Sequence, residues 1–206
     1  MMAATQRGAN PFAPLVLDDT GSLEAMVGAV MRLHNTLMTI GRCYTTDASG
    51  DRAELERGRI ESVLSGAFCT IFGQSPTNRF VDIFDQVTYV AEHMVKGHIF
   101  EDGNKRTSLV FTLSVLRLVG APVVLSDASE PKDNQYYAWI QDLVTGNRTR
   151  EELADELRCN CVIHCQKKDY ATSFNRMALL LVIKKGQKFN TSDLYFRWWA
   201  IQDSNL

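Results

Sequence analysis

The sequence predicts an all-α protein, a bundle of five or six helices around a buried central one. Two observations carry this reading. Phe80, Phe84, Val87, Ala91 and Met94 recur at three- and four-residue spacing up to Lys96 and Gly97, the period of an amphipathic helix followed by its stop. Leu109 to Val119 is apolar nearly all round and ends at Gly120 and Pro122, which marks a helix enclosed within a domain. With 206 residues and 45% apolar composition, the chain is long enough for one sizeable core, or for one core with an appendage.

Taken in order, residues 1–20, with Gly8, Pro11 and Pro14, read as a loose arm. Leu23, Met26, Val27, Val30, Leu33, Leu37 and Ile40 then trace one face of a first long helix closed by Gly41. The Thr45 to Asp51 stretch reads as a loop. A second helix from about Ala53 to Ser65 presents Leu55, Ile60, Val63 and Leu64. Phe68 to Arg79 breaks the helical pattern with Gly73, Ser75 and Pro76. Its Cys69-Thr70-Ile71-Phe72 piece has strand-forming types, but spacing alone favours a connecting loop. His34 and His93 fall on helical stretches and read as ordinary packing or surface histidines.

After the central helix, Ser126 to Asp133 is a polar loop, and Tyr136, Tyr137, Ile140, Leu143 and Val144 build a helix ending at Gly146. Thr149 and Glu152 have the spacing of a capping box, opening a helix that buries Leu153 and Leu157. Cys159, Cys161, His164 and Cys165 crowd into seven residues. Structural zinc usually needs two separated pairs that let the chain wrap the ion, so the cysteines read as reduced thiols. Arg176 to Ile183 is an apolar run and Lys184 to Lys188 a basic turn. Leu194, Tyr195, Trp198, Trp199 and Ile201 suggest a last amphipathic helix capped by Thr191 or Ser192.

A formal charge of −2 and a pI near 6.1 give no general attraction to nucleic acid, and no direct nucleic-acid partner is expected. Residues 1–7 lack the apolar core of a signal peptide, and no run approaches the roughly eighteen apolar residues of a membrane span. No membrane partner is expected, and the expected location is the cytoplasm.

Between the two best-marked helices lies His98-Ile99-Phe100-Glu101-Asp102-Gly103-Asn104-Lys105-Arg106-Thr107, which concentrates a proton carrier, two acids, a Gly-Asn turn and two cations. Gly103 allows a positive backbone angle and close approach of a ligand. The N–H groups opening the following helix form a positive end that suits phosphate. Arg106 brings a planar fork for phosphate oxygens and Lys105 a mobile point charge. Asp102, in preference to Glu101, is the candidate magnesium ligand, since magnesium is held by one or two carboxylates plus substrate phosphates. Histidine exchanges protons near neutral pH, so His98 is the candidate general base for an attacking hydroxyl. Together these residues read as phosphate-group transfer to an alcohol.

At every defined position this stretch resembles the Fic/Doc signature, His-x-Phe-x-Asp/Glu-Gly/Ala-Asn-x-Arg. Lys105-Arg106-Thr107, the preceding Lys96-Gly97 and the upstream Arg59-Ile60-Glu61-Ser62-Val63-Leu64 make it most similar to the death-on-curing (Doc) toxins, over roughly residues 30–158. The resemblance implies a helical Fic/Doc-like catalytic domain over 21–158, with a C-terminal extension, 159–206, of unassigned role. It implies that Phe68 to Arg79 is a small flap aligning a target segment. It makes His98 the base, Asp102 the magnesium ligand, Gly103, Asn104, Lys105 and Arg106 the ATP phosphate site, and Phe100 the loop's anchor in the core.

Most members that transfer AMP have Gly where this chain has Lys105, and keep a second Arg two or three positions after Arg106. Here Thr107, Ser108 and Leu109 follow Arg106, as in the Doc toxins, which transfer the γ-phosphate. The resemblance therefore implies a protein kinase using ATP and Mg2+, acting on a hydroxyl of a protein substrate. The expected target is a Thr of elongation factor Tu, and the expected restraint a cognate Phd-like antitoxin. AMP transfer to a bacterial or host protein is the alternative, and a non-catalytic binding module a third reading. The family's inhibitory Ser/Thr-x-x-x-Glu-Gly/Asn pattern has its nearest match at Thr20 to Ala25. Ala25 departs from it, so this segment reads as a helix start.

Overall fold

The computed structural model describes residues 12–40 and 50–162. Among them run α1 (Thr20–Ile40), α2 (Gly50–Phe68), α3 (Pro76–Arg79), α4 (Ile83–Lys96), α5 (Asn104–Leu118), α6 (Gln135–Thr145) and α7 (Arg150–Cys159), with one 3-10 turn at Pro131–Asp133. Extended pairing among the described residues is limited to isolated bridges between Ile71 and Gln74 and between Val123 and Cys161. The fold is all-α. No helix among the described residues is long and apolar enough to cross a membrane.

The helices begin where short polar side chains can take the amides of the first turn. Asp19 accepts from Ser22 N–H at 2.6 Å, so the Thr20 to Ala25 segment is a helix start. Asp82 accepts from Asp85 N–H at 3.0 Å to open α4. Asn134 accepts from Tyr137 N–H at 2.9 Å to open α6, which ends on Gly146 at φ 70°. The capping box of α7 is complete, with Thr149 N–H donating to Glu152 at 2.8 Å and Glu152 N–H to Thr149 at 3.2 Å. The short α3 lies where spacing suggested only a connection. Ser75 caps it and Pro76, already at a helical φ, starts it.

The most enclosed helix is α4, with ten of 14 residues buried against eight of 15 in α5. It packs on α2, α5, α6 and α7, while α5 is flanked by α4, α1 and α6. The three- and four-residue spacing of α4 predicts an amphipathic helix with a polar side, yet Asp82 at its cap and Asp85, Gln86 and Thr88 within it are buried. Each of those polar groups has instead found a partner inside the protein. Gln86, fully buried, accepts from Leu15 N–H at 2.8 Å and donates to the carbonyls of Leu15 at 2.8 Å and Ala67 at 3.0 Å. The Thr88 hydroxyl donates to Phe84 C=O at 2.8 Å. Arg158 on α7 grips both carboxylate oxygens of Asp82 at 2.6 and 3.0 Å. Arg150 meets Asp85 at 3.2 Å. Such partnering lets α4 be buried on its polar side too.

Gln86 also explains why residues 12–19 are not part of the loose arm that Gly8, Pro11 and Pro14 suggest for residues 1–20. Leu17 N–H donates to Phe68 C=O at 2.8 Å, Ile83 N–H to Phe12 C=O at 2.8 Å, and Phe12, Leu15 and Leu17 pack on the core. Behind α6, the wholly buried Trp139 donates from Nε1 to Leu153 C=O at 3.0 Å and fastens α7. The loop expected from Thr45 onward, as far as Ser49, the apolar run and basic turn from Arg176 to Lys188, and the final helix near Trp198 lie outside the described residues, as do His164 and Cys165.

Replacing Gln86 by Leu removes three hydrogen bonds and leaves the buried Ala67 carbonyl and the part-buried Leu15 N–H and carbonyl without these partners. Each orphaned group costs about 1–3 kcal/mol, so Gln86→Leu should lose at least about 2 kcal/mol of unfolding free energy. Denaturant titration measures it; a loss below about 0.5 kcal/mol would mean that residues 12–17 detach at little cost.

Candidate active site

The signature loop is shaped at both ends by helix chemistry. At the end of α4, Gly97 N–H donates to His93 C=O at 3.0 Å and the chain leaves the helix. His98 comes next at φ 43°, a left-handed conformation that costs a side-chain-bearing residue of order 1 kcal/mol and persists only where the surroundings impose it. Arg59 on α2 supplies part of that restraint, donating from Nη1 to His98 C=O at 3.3 Å. The His98 side chain stays exposed, whereas Ile99 and Phe100 turn inward to 3% and 2% exposure.

Asn104 then closes the loop on itself. Phe100 N–H donates to Asn104 Oδ1 at 2.9 Å, and Asn104 Nδ2 donates back to Phe100 C=O at 2.7 Å. The two residues are bound like a pair in a sheet, which leaves Glu101 and Asp102 at the exposed tip and turns the chain through Gly103 at φ 74° into α5. The helical ladder begins with Thr107 N–H donating to Gly103 C=O at 2.9 Å, so the amides ahead of it point out of the helix end. That end is the positive pole of α5 and suits an anion.

The charged side chains gather at this pole. Asp102 Oδ1 accepts from Gly103 N–H at 2.5 Å, and Oδ2 lies 3.8 Å from Arg106 Nη2. Arg106 is only 4% exposed, so its charge is held in place beneath the loop. Lys105, half-buried, donates to Gln141 Oε1 on α6 at 3.4 Å. Arg52 of α2 pairs with Glu101 at 2.7 Å, which turns the second acid of the tip towards α2 and leaves Asp102 as the carboxylate facing the helix end. Asp102 is a single hard oxygen donor group beside a cationic pole. That donor set fits magnesium held jointly with phosphates, and no cluster of three or more metal-ligating side chains occurs among the described residues.

Two residues of the expected phosphate site also have a structural role in the loop. Both ends of the Asn104 amide are committed to Phe100, so its observed role is to hold the loop's shape. At Gly103, held at positive φ, a Cβ would also run into the end of the Met38 side chain and come within 3.3 Å of His34 Cε1, both on α1. His34, which spacing assigns to ordinary packing, lies directly under the loop. Its ring is parallel to that of Phe100, with centroids 3.7 Å apart and planes 1° apart, and Nδ1 shares a 3.2 Å hydrogen bond with the Thr107 hydroxyl. Burial drives its pKa down to about 4, against the opposing pull of Asp102 and with a smaller lowering push from Arg106. Nothing in the sequence distinguishes this histidine; a helical face meeting a loop far along the chain is a tertiary event.

Elsewhere, burial pushes the Cys69 and Cys161 thiols up, which disfavours the thiolate needed for nucleophilic or metal-binding work. The segment after α2 is a two-residue hairpin. Ile71 and Gln74 exchange hydrogen bonds of 3.1 and 2.9 Å around Phe72 and Gly73, both at positive φ, with Phe72 fully exposed at the tip. Arg79 steadies its base by donating to the carbonyls of Gly66 and Cys69.

Residues 26–116, from α1 through the loop to the last turn of α5, match the model of the Fic/DOC family. No curated protein matches the chain.

Gly103→Ala should destabilise the fold by about 1–3 kcal/mol, combining left-handed backbone strain with the clash on Met38. Thermal melting tests this, and an unchanged melting temperature would mean that the loop rebuilds freely. The His34 ring predicts a pH dependence. The folded state binds its proton less readily than the unfolded chain, so this stability is complete above 6.5 and is lost as pH falls from 6.5 towards about 4. Denaturant titrations across that window should record the decline, and His34→Phe should flatten it; an equal slope in both proteins would contradict the assignment.

Proposed function

We propose, from the premise that residues 26–116 belong to the Fic/DOC family, a Doc-like toxin that transfers the γ-phosphate of ATP to a hydroxyl side chain of a target protein. The family itself implies a transferase that moves a nucleotide phosphate group to proteins. Which phosphorus is moved is a property of this chain's own loop.

The observation that carries the kinase reading is the pair of cations at the start of α5, together with the burial of the three residues after them. Lys105 stands beside the helix end, braced on Gln141. Ser108 and Leu109, where AMP-transferring members keep their second Arg, are interior with the preceding Thr107: Thr107 and Ser108 are fully buried and Leu109 is 5% exposed. Ser108 is further tied to Asn104 C=O at 2.7 Å. The phosphate site thus has one buried fork, Arg106, and one point charge, Lys105. A lysine in place of Gly fills the space that successive phosphates of a chain would need, which favours a nucleotide presented by its terminal phosphate.

In this mechanism His98 takes the proton of the incoming hydroxyl as its oxygen bonds to the γ-phosphorus, while the bond from that phosphorus to the β–γ bridging oxygen breaks and ADP leaves. Arg106, Lys105 and the amides at the head of α5 orient the phosphates and meet the charge of the transition state. Asp102 would hold a magnesium ion, whose chemistry is to neutralise and align phosphate oxygens. Asn104 and Gly103 keep the loop in shape. By the same reading the target is a Thr of elongation factor Tu, transfer arrests translation, and a Phd-like antitoxin restrains the toxin. AMP transfer is the second reading, since Arg106 and Asp102 suit either orientation of the nucleotide.

Incubating the purified protein and a cell lysate with ATP labelled separately at the α- and γ-phosphates should label a target from the γ position only. The product should gain the mass of a single phosphate. His98→Ala should lower the rate by about 10²- to 10⁴-fold while retaining the fold. A mass gain of a whole AMP group would establish the second reading instead, and growth arrest undiminished by His98→Ala would point to binding without catalysis.

A further inference from the structure

The underside of the loop is held by one helix, α1, and at one polar point. His34 and Met38, one turn apart, form the floor beneath Gly103. Met38 is apolar and fills space. His34 touches two separate parts of the loop: its ring covers Phe100 on the incoming side at 3.7 Å, and its Nδ1 bonds Thr107 in the first turn of α5 at 3.2 Å. At 6% exposure, between Phe100 and Met38, an apolar side chain would fill this position without the desolvation that a ring nitrogen entails. The polar atom is therefore explained by what it holds, the Thr107 hydroxyl, which is itself wholly buried.

Thr107 is the first residue whose amide enters the α5 ladder, and Lys105 and Arg106 immediately precede it. Fixing Thr107 fixes the rotation of that first turn and hence the direction of the phosphate-binding amides. Fixing the Phe100 ring fixes the chain two residues after His98. We propose that His34 is a positioning residue for phosphoryl transfer, setting the α5 helix end and the His98 base in register through Thr107 and Phe100. The proposal rests on the reading of the loop as a phosphate site. Its consequence is geometric: small misplacement of the transferred group relative to the base lowers turnover more than it lowers affinity, on the order of tenfold or more for shifts below about 1 Å.

The full chain tests this with variants that separate the two contacts. His34→Phe keeps a stacking ring and loses the hydrogen bond; Thr107→Val loses the same bond from its other end; Thr107→Ser keeps the hydroxyl. Turnover and KM for ATP are measured together with hydrogen exchange of the amides of residues 98–107 in nucleotide-free protein. His34→Phe and Thr107→Val should each lower kcat by about tenfold or more with KM changed less than about threefold. Both should speed exchange in the loop, the double variant should be no worse than either single one, and Thr107→Ser should restore kcat. Additive losses, a Thr107→Ser protein as impaired as Thr107→Val, or unchanged exchange would overturn the proposal. Failure of the transfer reading appears separately, as absence of label with the parent protein. The exchange comparison then decides by itself whether His34 positions the loop.

Discussion

The paired hydrogen bonds between Asn104 and Phe100 are the constraint on which the site depends. A loop joining two packed helices has several exposed polar residues and few reasons to keep one shape. Here the side-chain amide of Asn104 acts as a substitute backbone partner, satisfying both the N–H and the C=O of Phe100 at 2.9 and 2.7 Å. Because Phe100 is buried, those two groups would otherwise be orphaned, at a cost of about 1–3 kcal/mol each. The tip between them is consequently short and fixed, and Asp102 and Arg106 have little choice about where they stand. Gly103 completes the closure by accepting a left-handed turn in a place where a Cβ would have to displace the end of the Met38 side chain.

The rest of the fold can be understood as support for that loop. α4 delivers the histidine and is wrapped on nearly every side, its polar residues answered by Leu15, Ala67, Arg150 and Arg158. α5 carries the cations at its positive end. α2 reaches in with Arg59 to the strained His98 carbonyl and with Arg52 to Glu101, and α1 closes the underside with His34. Four helices thus converge on a stretch of about ten residues, each constraining a different part of it. A site built in this way is stiff at the head of α5 and open at His98, Glu101 and Asp102, a division that suits the proposed transfer to an outside hydroxyl.

The helices and the loop are legible in the chain because each is announced locally. Apolar spacing marks α1, α2, α4, α5 and α6, and Thr149 with Glu152 marks the start of α7. Between His98 and Thr107 the crowding of a proton carrier, two acids and two cations is itself a signal, since a merely solvated linker has no use for a buried Phe100 beside a Gly-Asn turn. The departures have a common origin. The segment from Phe12 to Asp19 reads as loose because its Gly- and Pro-rich surroundings say nothing about Gln86, 71 residues away from Leu15. α4 reads as amphipathic, and the burial of Gln86, Asp85 and the capping Asp82 is visible only once their partners are known.

What the sequence determined by itself was the all-α architecture and the place of the candidate site between His98 and Thr107, since periodicity, caps and a nine-residue signature are properties of neighbours along the chain. Only the tertiary structure decided what several of those residues do. Asn104 holds the loop, Gly103 makes room for Met38, Lys105 leans on Gln141, and His34 sits beneath the helix end. Each of those roles is set by a side chain distant in sequence or by the direction a backbone takes in three dimensions. Burial and pairing depend on which surfaces meet, and that is decided when the helices pack and not before.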